Sequence, residues 1–313
     1  MGVTAAVMEE KSGKFNIDTL DLDAPQSNEV LVKITATGIC HTDLHARDGY
    51  FAMPFPAVYG HEGAGVVVAV GGAVEHLAVG DHVVISFPWC GECEHCCEDR
   101  RSYCQRGREL KSGGVRTDGS VTMRRNGAPA PVYGSFFQQS SFASHALALA
   151  RNAVRVRRDA PLEFLGPLGC GLQTGAGAVI NVMKPEAEKS FAVFGTGSVG
   201  LARLMAAKLA GCDPIIAVDI RANRLELARS LGATHTIDNA REDAVTENPE
   251  DHRRRRSFHA RNLSFVEGVS PGGRLPVGAR NLCSCGQRSP RHGGVVRNEH
   301  IAGRPHRARR HPG

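Results

Sequence analysis

The segment "FAVFGTGSVG", residues 191–200, decides the fold of the second half of the chain. A short apolar run leads into a G-x-G-x-x-G pattern, and a helix-forming run follows. In this pattern Gly195 permits a tight turn, Gly197 lets a pyrophosphate approach the backbone, and Gly200 lets the helix pack on the strand. Asp219 ends the next strand, "PIIAVD", where a carboxylate accepts from a ribose 2′-hydroxyl. This context predicts a dinucleotide site and favours NAD over NADP.

Strands and helices alternate around this segment. The helix "SVGLARLMAAKLAG" precedes "PIIAVD", and the helix "RANRLELARSLG" precedes the strand "THTID". Three strands alternating with helices predict βαβ units and a parallel sheet. Residues 1–160 instead contain short strands rich in valine and isoleucine, such as "NEVLVKITATGIC", "GAGVVVAVG" and "DHVVISF". We therefore predict an α/β protein with a β-rich domain at 1–160 and the first half of a doubly wound parallel sheet at 161–245.

The composition changes after residue 245. Residues 251–313 contain 14 arginines, no lysine and three acidic residues, a net +11, so residues 1–250 carry −5 of the total +6. Three interpretations of 246–313 remain open: a disordered basic tail that binds nucleic acid, an ordered domain of unusual composition, or a GC-rich gene translated out of frame. We favour the third, because Arg, Gly, Pro and Ala have GC-rich codons. Half a parallel sheet leaves an unpaired strand, so we expect the chain to be poorly stable and weakly active or inactive.

The composition and the N-terminal sequence indicate in which cellular compartment the protein is expected. The chain of 313 residues is 42% hydrophobic, which suits a globular protein of about two domains. Its first residues, "MGVTAAVMEEKSGKF", place acids where a signal peptide needs an apolar run, and no apolar run of about 18 residues occurs. We expect a cytoplasmic protein without a membrane span. In a reducing compartment, clustered cysteines indicate metal binding or catalysis rather than disulfides.

The stretch "CGECEHCCEDRRSYC", residues 90–104, contains five cysteines. Four of them have spacings that suit a closed tetrahedral zinc site, which stabilises a loop and leaves no position for substrate. Cys97 breaks the spacing and is not an expected ligand. We predict a structural-zinc lobe at 88–106 whose ligands are Cys90, Cys93, Cys96 and Cys104.

A second set of metal-binding side chains is spread along the chain. Cys40 stands in "GICHTDLHARDG", His61 and Glu62 in "YGHEGAG", and Cys170 in "LGPLGCGLQTGAG". Each alone is a weak signal, since a lone cysteine is usually a small buried hydrophobe. Together they supply two thiolates and one imidazole, which leave one position of a tetrahedral zinc open.

This donor set is that of the catalytic zinc in alcohol dehydrogenase. Over about residues 4–243 the chain resembles the zinc-dependent medium-chain alcohol dehydrogenases, through "GHEGAG" and the four-cysteine lobe. "CHTDLHARDG", "GSFFQQSSFASHALA" and "LGPLGCGLQTGAGAV" resemble the aryl-alcohol (benzyl alcohol) branch. The resemblance implies a GroES-like catalytic domain and an incomplete Rossmann domain, two Zn²⁺ per chain, NAD, and a homodimer or homotetramer. It implies reversible oxidation of primary alcohols, aromatic or allylic, to aldehydes.

The resemblance also implies roles for individual residues. Asp43 would orient His61, and Glu62 would be a carboxylate able to approach the catalytic zinc. Thr42 would bind the substrate hydroxyl and pass its proton towards His45. Besides the three glycines and Asp219, the cofactor contacts would be His41, Thr174 and Arg224, while Arg221 could soften the discrimination against NADP. His41 and His45 could instead be ordinary surface histidines, and Phe51, Phe55 and the "SFF" segment at 135–137 either an aromatic substrate pocket or core.

Two alternatives remain open. A glutathione-dependent formaldehyde dehydrogenase is the second enzyme alternative, although "GSFFQQSSFASHALA" argues mildly against that branch, and a substrate panel would decide. An inactive truncated remnant with a basic tail is the non-enzyme alternative. Nucleic acid is not an expected partner, because the basic residues belong to one segment that differs from the rest.

Overall fold

A computed structural model describes residues 1–125, 127 and 130–241, together with the backbone of 264–266. Apart from those three residues, the arginine-rich segment 246–313 and its three interpretations lie outside the described residues. Within the described part of the chain, no helix is long and apolar enough to cross a membrane.

Short strands dominate the first half of the chain, and strands alternate with helices in the second half. The strands are β1 (Gly2–Met8), β2 (Phe15–Leu22), β3 (Glu29–Thr37), β4 (Ala57–Val58), β5 (Gly63–Val70), β6 (His82–Ile85), β7 (Met123–Arg125), β8 (Pro131–Val132), β9 (His145–Leu149), β10 (Ala153–Arg155), β11 (Phe191–Phe194), β12 (Ile215–Asp219), β13 (His235–Asp238) and β14 (Ser264–Val266). The α-helices are α1 (His41–Arg47), α2 (Glu94–Cys97), α3 (Gly107–Ser112), α4 (Gly171–Gly177), α5 (Ser198–Leu209) and α6 (Ala222–Leu231). Short 3₁₀ turns include Phe136–Gln138 and Ala150–Asn152.

Two five-stranded sheets form the first half. Their orders are β4-β1-β2-β7-β8 and β10-β6-β5-β3-β9, with antiparallel pairing between neighbours. The apolar residues of β3 lie in two cores: Leu31 packs with β1 and β2 side chains, whereas Val30 and Val32 pack with β5 and β6. Successive strand residues point to opposite faces, so β3 joins the two cores.

The second half contains one parallel sheet in the order β13-β12-β11-β14. Gly195 and Gly200 have the backbone geometry that the glycine pattern predicts. Gly195 has a φ of +80°, and a Cβ on Gly200 would lie 1.8 Å from the Gly195 carbonyl oxygen. A side chain at Gly200 would therefore force α5 away from β11.

The number of parallel strands differs from the prediction. The sequence predicts three, and the structure adds β14 beside β11, in a register that pairs Phe191 with Ser264. β11 is consequently bonded on both sides, which satisfies N–H and C=O groups that an edge strand leaves free. A three-residue strand among arginine-rich sequence is too short to give a periodic signal, so pattern analysis missed it.

A buried ion pair connects the start of β3 to the loop after α3. Arg116 donates from Nε to both Glu29 carboxylate oxygens, at 3.0 and 3.2 Å, and from Nη1 to Asp23 at 3.1 Å. Arg116 and Glu29 are 6% and 4% exposed. Removing one partner of such a pair leaves an uncompensated buried charge.

We expect Arg116→Met to lower the free energy of unfolding by about 3–5 kcal/mol, because Glu29 loses its counter-ion. Arg124→Met is the matched control, since Arg124 is exposed and also pairs with Asp23, at 2.9 Å; its cost should stay below about 1 kcal/mol. Urea unfolding of both variants checks this, and equal losses would contradict it.

Candidate active site and metal centres

Three connections between secondary-structure elements bring the second ligand set together. Cys40 immediately precedes α1, His61 and Glu62 lie between β4 and β5, and Cys170 immediately precedes α4. One ligand atom from each of these four residues lies within 4.8 Å of the others. His61 Nε2 is 3.2 Å from Cys170 Sγ. The two thiols and the imidazole form the donor set that suits zinc, and the cluster is compact enough for one ion.

Asp43 holds two of these ligands in place. Its carboxylate is fully buried and accepts hydrogen bonds from Cys40 N at 2.9 Å, Gly60 N at 3.2 Å and His61 Nδ1 at 2.8 Å. The expected contact between Asp43 and His61 is therefore present. Because Nδ1 carries the proton given to Asp43, Nε2 is the nitrogen left for a metal.

The four ionisable side chains of this cluster shift one another's pKa values, because they are buried close together. A hydrogen bond from Cys170 lowers the pKa of Cys40 to about 3, although burial opposes it. The same bond and burial raise the pKa of Cys170. Burial lowers the pKa of His61, but hydrogen bonds to Asp43 and Cys40 outweigh it and raise that pKa to about 9. Burial, and then the Cys40 thiolate, raise the pKa of Glu62. A bound cation would therefore displace protons from Cys170 and His61, whereas Cys40 is already a thiolate.

The four-cysteine lobe forms a second compact cluster. The ligand atoms of Cys90, Cys93, Cys96 and Cys104 lie within 4.8 Å of one another. Cys90 Sγ and Cys96 Sγ are 3.8 Å apart, and a tetrahedron with Zn–S bonds of ~2.3 Å has an edge of about 3.8 Å. The geometry of this loop thus fits zinc. Cys97 is exposed, and its Sγ is 3.7 Å from the Glu92 carbonyl oxygen.

Backbone N–H groups and burial act in opposite directions on the thiols of this lobe. A hydrogen bond from the Gln105 N–H is the main cause that lowers the pKa of Cys93 to about 6. Burial raises the pKa of Cys96 to about 12, because a buried thiolate loses its hydration. A metal bound to Cys96 would therefore displace a proton, as in the Cys40 cluster.

Two arginines add positive charge beside the lobe. The Trp89 ring lies near both guanidinium groups, with Arg101 at 4.3 Å and Arg151 at 5.4 Å from its centroid. Burial lowers the pKa of Arg151, and the nearby thiolates partly offset that effect. The Arg151 guanidinium therefore lies close enough to the thiolates of Cys90, Cys96 and Cys104 to interact with their charge.

The glycine-rich turn and the end of β12 form the candidate cofactor cleft. Asp219 accepts from Thr196 N at 2.7 Å, Thr196 Oγ1 at 2.9 Å, Ile220 N at 2.8 Å and Arg221 N at 3.0 Å. Burial raises the pKa of Asp219, but these hydrogen bonds, led by Thr196, outweigh it and lower that pKa. An ionised carboxylate is thus held at the end of β12. Arg224 Nη1 would lie 3.8 Å from a Cβ on Gly197, so its guanidinium borders the turn.

Comparison with known proteins agrees with this geometry. A family model described as "Alcohol dehydrogenase GroES-like domain" matches residues 26–156, and one described as "Zinc-binding dehydrogenase" matches residues 198–254. A probable alcohol dehydrogenase from a Pseudomonas species is 46% identical over 215 residues, which cover 68% of this chain and 67% of the relative. The chain belongs to the zinc-binding alcohol dehydrogenase family. The GroES-like fold predicted for the first half is confirmed.

Two further relatives narrow the comparison within the alcohol dehydrogenases. Geraniol dehydrogenase from Castellaniella defragrans is 46% identical over 235 residues, covering 75% of this chain and 62% of that protein. The crystal structure of benzyl alcohol dehydrogenase from Acinetobacter calcoaceticus has a TM-score of 0.73 and 46% identity, covering 78% of this chain and 65% of that one. The chain thus spans roughly two thirds of the length of these relatives. The family model "Zinc-binding dehydrogenase" matches as far as residue 254, which is beyond residue 243, where the sequence resemblance was expected to end.

The remaining predicted site residues lie on α1 and α4. The His41 and His45 rings meet edge to face at 4.5 Å, and His45 lies 5.1 Å from the Tyr50 ring. The Thr42 backbone N–H donates to the Cys40 thiolate. Thr174 lies one helical turn after Cys170, and its N–H donates to the Cys170 carbonyl at 2.9 Å. His41 directly follows Cys40, and both histidines are exposed, a position that suits proton exchange with solvent.

Sequence reasoning missed several residues that support His61. Gln139 donates from Nε2 to the His61 carbonyl at 3.0 Å and accepts from Gly63 N at 3.1 Å. Phe137 stacks on the His61 ring at 4.5 Å, with 26° between the planes. The run "FFQQSS" places four polar residues directly after two aromatic ones, which was the available signal. Their partners are distant in sequence, so the signal did not show what they bind.

Proposed function

We propose that this chain is a zinc- and NAD-dependent alcohol dehydrogenase that reversibly oxidises primary alcohols, aromatic or allylic, to aldehydes. One observation carries the proposal. Gly171, the residue after Cys170, lies between the metal cluster and the cofactor helix: a Cβ on it would lie 3.8 Å from Glu62 Oε1 and 3.7 Å from Ser198 Cβ. Ser198 is the first residue of α5. The metal ligands therefore adjoin the helix N-terminus that suits a pyrophosphate.

The bound groups and the chain have separate tasks. When bound, zinc polarises the alcohol oxygen as a Lewis acid and NAD accepts the hydride. Cys40, His61 and Cys170 would hold the metal, and Asp43 keeps the imidazole in the tautomer that this requires. Thr42 would bind the substrate hydroxyl and pass its proton through His45 to solvent. Glu62 is buried beside the ligands, where its carboxylate can approach the metal.

Cofactor contacts follow from the cleft. Gly195 and Gly197 leave room for the pyrophosphate, and Asp219 would accept from the adenosine ribose. His41, Thr174 and Arg224 are the further contacts in this proposal. Two zinc ions per chain, NAD rather than NADP, a homo-oligomer and a cytoplasmic location belong to the same proposal.

An aromatic cluster beside His61 supports the substrate class. Phe136 and Phe137 contact the His61 ring, at centroid distances of 5.7 and 4.5 Å, and Phe87 lies 5.7 Å from Phe137. Phe136 and Phe137 are 0% and 5% exposed, so these two rings belong to the core, and the partly exposed Phe87 is the ring of this group that can face a flat apolar substrate. Phe51 and Phe55 pack at the edge of the same cluster. Two relatives are a geraniol and a benzyl alcohol dehydrogenase, which supports the same class.

Metal content and turnover test the proposal together. We expect two zinc ions per purified chain, one after Cys170→Ala, and two after Cys97→Ser. Because the sequence predicts weak activity, relative rates are the readout: reduction of NAD should be faster with benzyl alcohol and geraniol than with ethanol or S-hydroxymethylglutathione. A wild-type chain that binds one zinc ion, and loses it on Cys93→Ser, would contradict the proposed active site.

Asp219 should decide which dinucleotide binds. We expect Asp219→Ala to weaken NAD binding by about tenfold to a hundredfold, because a hydrogen bond to a charged acceptor is worth about 1.5–3 kcal/mol. NADP should bind relatively better, because the carboxylate that repels a 2′-phosphate is gone. Fluorescence titration with both dinucleotides measures this. Asp238→Ala is the matched control, since Asp238 pairs with Asp219 in the register of β13. An unchanged ratio of NAD to NADP affinity would contradict the assignment.

A further inference from the structure

Leu110 connects α3 to the four-cysteine lobe. Its side chain is 1% exposed and packs with Cys90 and Cys96. α3 begins shortly after Cys104, and the Gly107 N–H donates to the Cys104 carbonyl at 2.9 Å. The position of α3 therefore depends on the packing of the cysteine cluster.

Gln138 connects α3 to the segment beside His61. Its Nε2 donates to the Leu110 carbonyl at 3.3 Å and to the Val115 carbonyl at 2.9 Å. The side chain is 4% exposed, so water cannot easily replace these partners. Leu110 thus has two contacts: its side chain packs on the cysteines, and its backbone carbonyl accepts a hydrogen bond from Gln138.

The next residue continues the connection to the active site. Gln139 is 1% exposed and bonds the backbone on both sides of Glu62, at His61 and Gly63. Phe137 stacks on the His61 ring from the same segment. Three successive residues therefore link the lobe to one catalytic ligand.

The backbone of this segment is held in an unfavourable conformation. Ser135, Phe137, Gln138 and Ser140 have φ values of +62°, +52°, +53° and +49°. Such conformations are unfavourable for residues other than glycine and persist only where the surroundings impose them. The fully buried Ser140 hydroxyl donates to the Val58 carbonyl at 2.7 Å and accepts from Phe136 N at 2.8 Å. Loss of an anchoring bond would therefore let the segment relax.

We infer that residues 135–141 act as a strut that positions His61 from the four-cysteine lobe, with Gln138 and Gln139 as its positioning residues. The inference rests on the proposed function, because it treats His61 as a metal ligand. Displacement of α3 would remove the Leu110 partner of the Gln138 amide and disturb the Val115 partner, which lies three residues after the helix. The strained segment could then shift, carrying Phe137 from the imidazole and Gln139 from the His61 carbonyl. The lobe takes no part in the chemistry, yet it would set the geometry of the catalytic metal.

Gln138→Met tests the strut, because methionine keeps the length of the side chain and removes both donors. The 313-residue chain is prepared with zinc in the lobe and Co²⁺ in the Cys40, His61 and Cys170 cluster. We expect a shifted visible Co²⁺ absorption band and about tenfold weaker retention of Co²⁺ against a chelator, as for other groups that support a ligand. Zinc in the lobe should be retained. Gln139→Met, which acts at the other end, should give the same result.

Thr234→Val is the control for general destabilisation. The Thr234 hydroxyl exchanges two hydrogen bonds with the Ile215 backbone, both at 2.9 Å, in the parallel sheet. The Co²⁺ spectrum of the Thr234→Val variant should match that of the wild type. A Gln138→Met spectrum and Co²⁺ retention equal to those of Thr234→Val would overturn the strut and leave the proposed function intact. If both glutamine variants failed to fold while Thr234→Val folded, the strut would be overturned, because Gln138 and Gln139 would then have a purely structural role. Absence of Co²⁺ from the wild-type cluster would overturn the proposed function and the strut with it.

Discussion

Asp43→Ala is expected to empty the catalytic metal cluster while the four-cysteine lobe keeps its zinc. The substitution removes the acceptor of His61 Nδ1, Cys40 N and Gly60 N at once. His61 could then rotate or change tautomer, and loss of such a supporting group lowers metal affinity by about 10- to 100-fold. Orphaning buried donors costs a further 1–3 kcal/mol or so for each group. Zinc content after dialysis against a weak chelator should fall from two ions to one per chain.

Asp48→Ala is the matched control for this prediction. Asp48 follows the same helix, α1, and pairs with Arg47 at 2.8 Å, but both side chains are 34% exposed. An exposed pair of this kind contributes at most about 1 kcal/mol, so metal content should not change. Retention of both zinc ions by Asp43→Ala would mean that the ligands are held without this carboxylate.

Removing one ligand of the four-cysteine lobe is expected to have the largest effect on stability. Binding of structural zinc supplies about 10–16 kcal/mol in small zinc domains, and the unfolded loop has no preformed site. The lobe core consists of Cys90, Cys96 and Leu110, so it retains little apolar packing without the metal. We expect Cys96→Ser to release zinc, to expose residues 88–112 to limited proteolysis, and to lower the midpoint of thermal unfolding.

Cys97→Ser provides a control at the adjacent position. Cys97 is exposed and its sulfur lies outside the ligand cluster, so the variant should keep two zinc ions and the wild-type pattern of proteolysis. The opposite result, with Cys97→Ser losing zinc and Cys96→Ser keeping it, would reverse the ligand assignment. Acidification should also release zinc from the wild type, because protons compete with the metal for the thiolates.

The features that could be predicted from the sequence are those determined by residues close together in the chain. Hydrophobic period and glycine spacing predicted β11, α5, β12, α6 and β13, because each pattern reports a local backbone conformation. The four-cysteine lobe could also be predicted, since all four cysteines fall within one loop and their spacing suits the tetrahedral geometry of zinc. In contrast, Cys40, His61 and Cys170 gave weak separate signals, and it was their combination and the family resemblance that made them a predicted site.

Tertiary structure decided what depends on partners distant in the chain. The sequence alone determined the alternation of strands and helices, the glycine-rich turn and the local thiolate cluster. Only the folded chain placed Arg116 against Glu29, Thr196 against Asp219, and Gln138 and Gln139 between the lobe and His61. A buried polar side chain is chosen for the backbone or charged group that faces it after folding, and no local periodicity encodes that partner. The same reason applies to β14, whose three residues form a strand only because β11 offers them unpaired hydrogen-bonding groups.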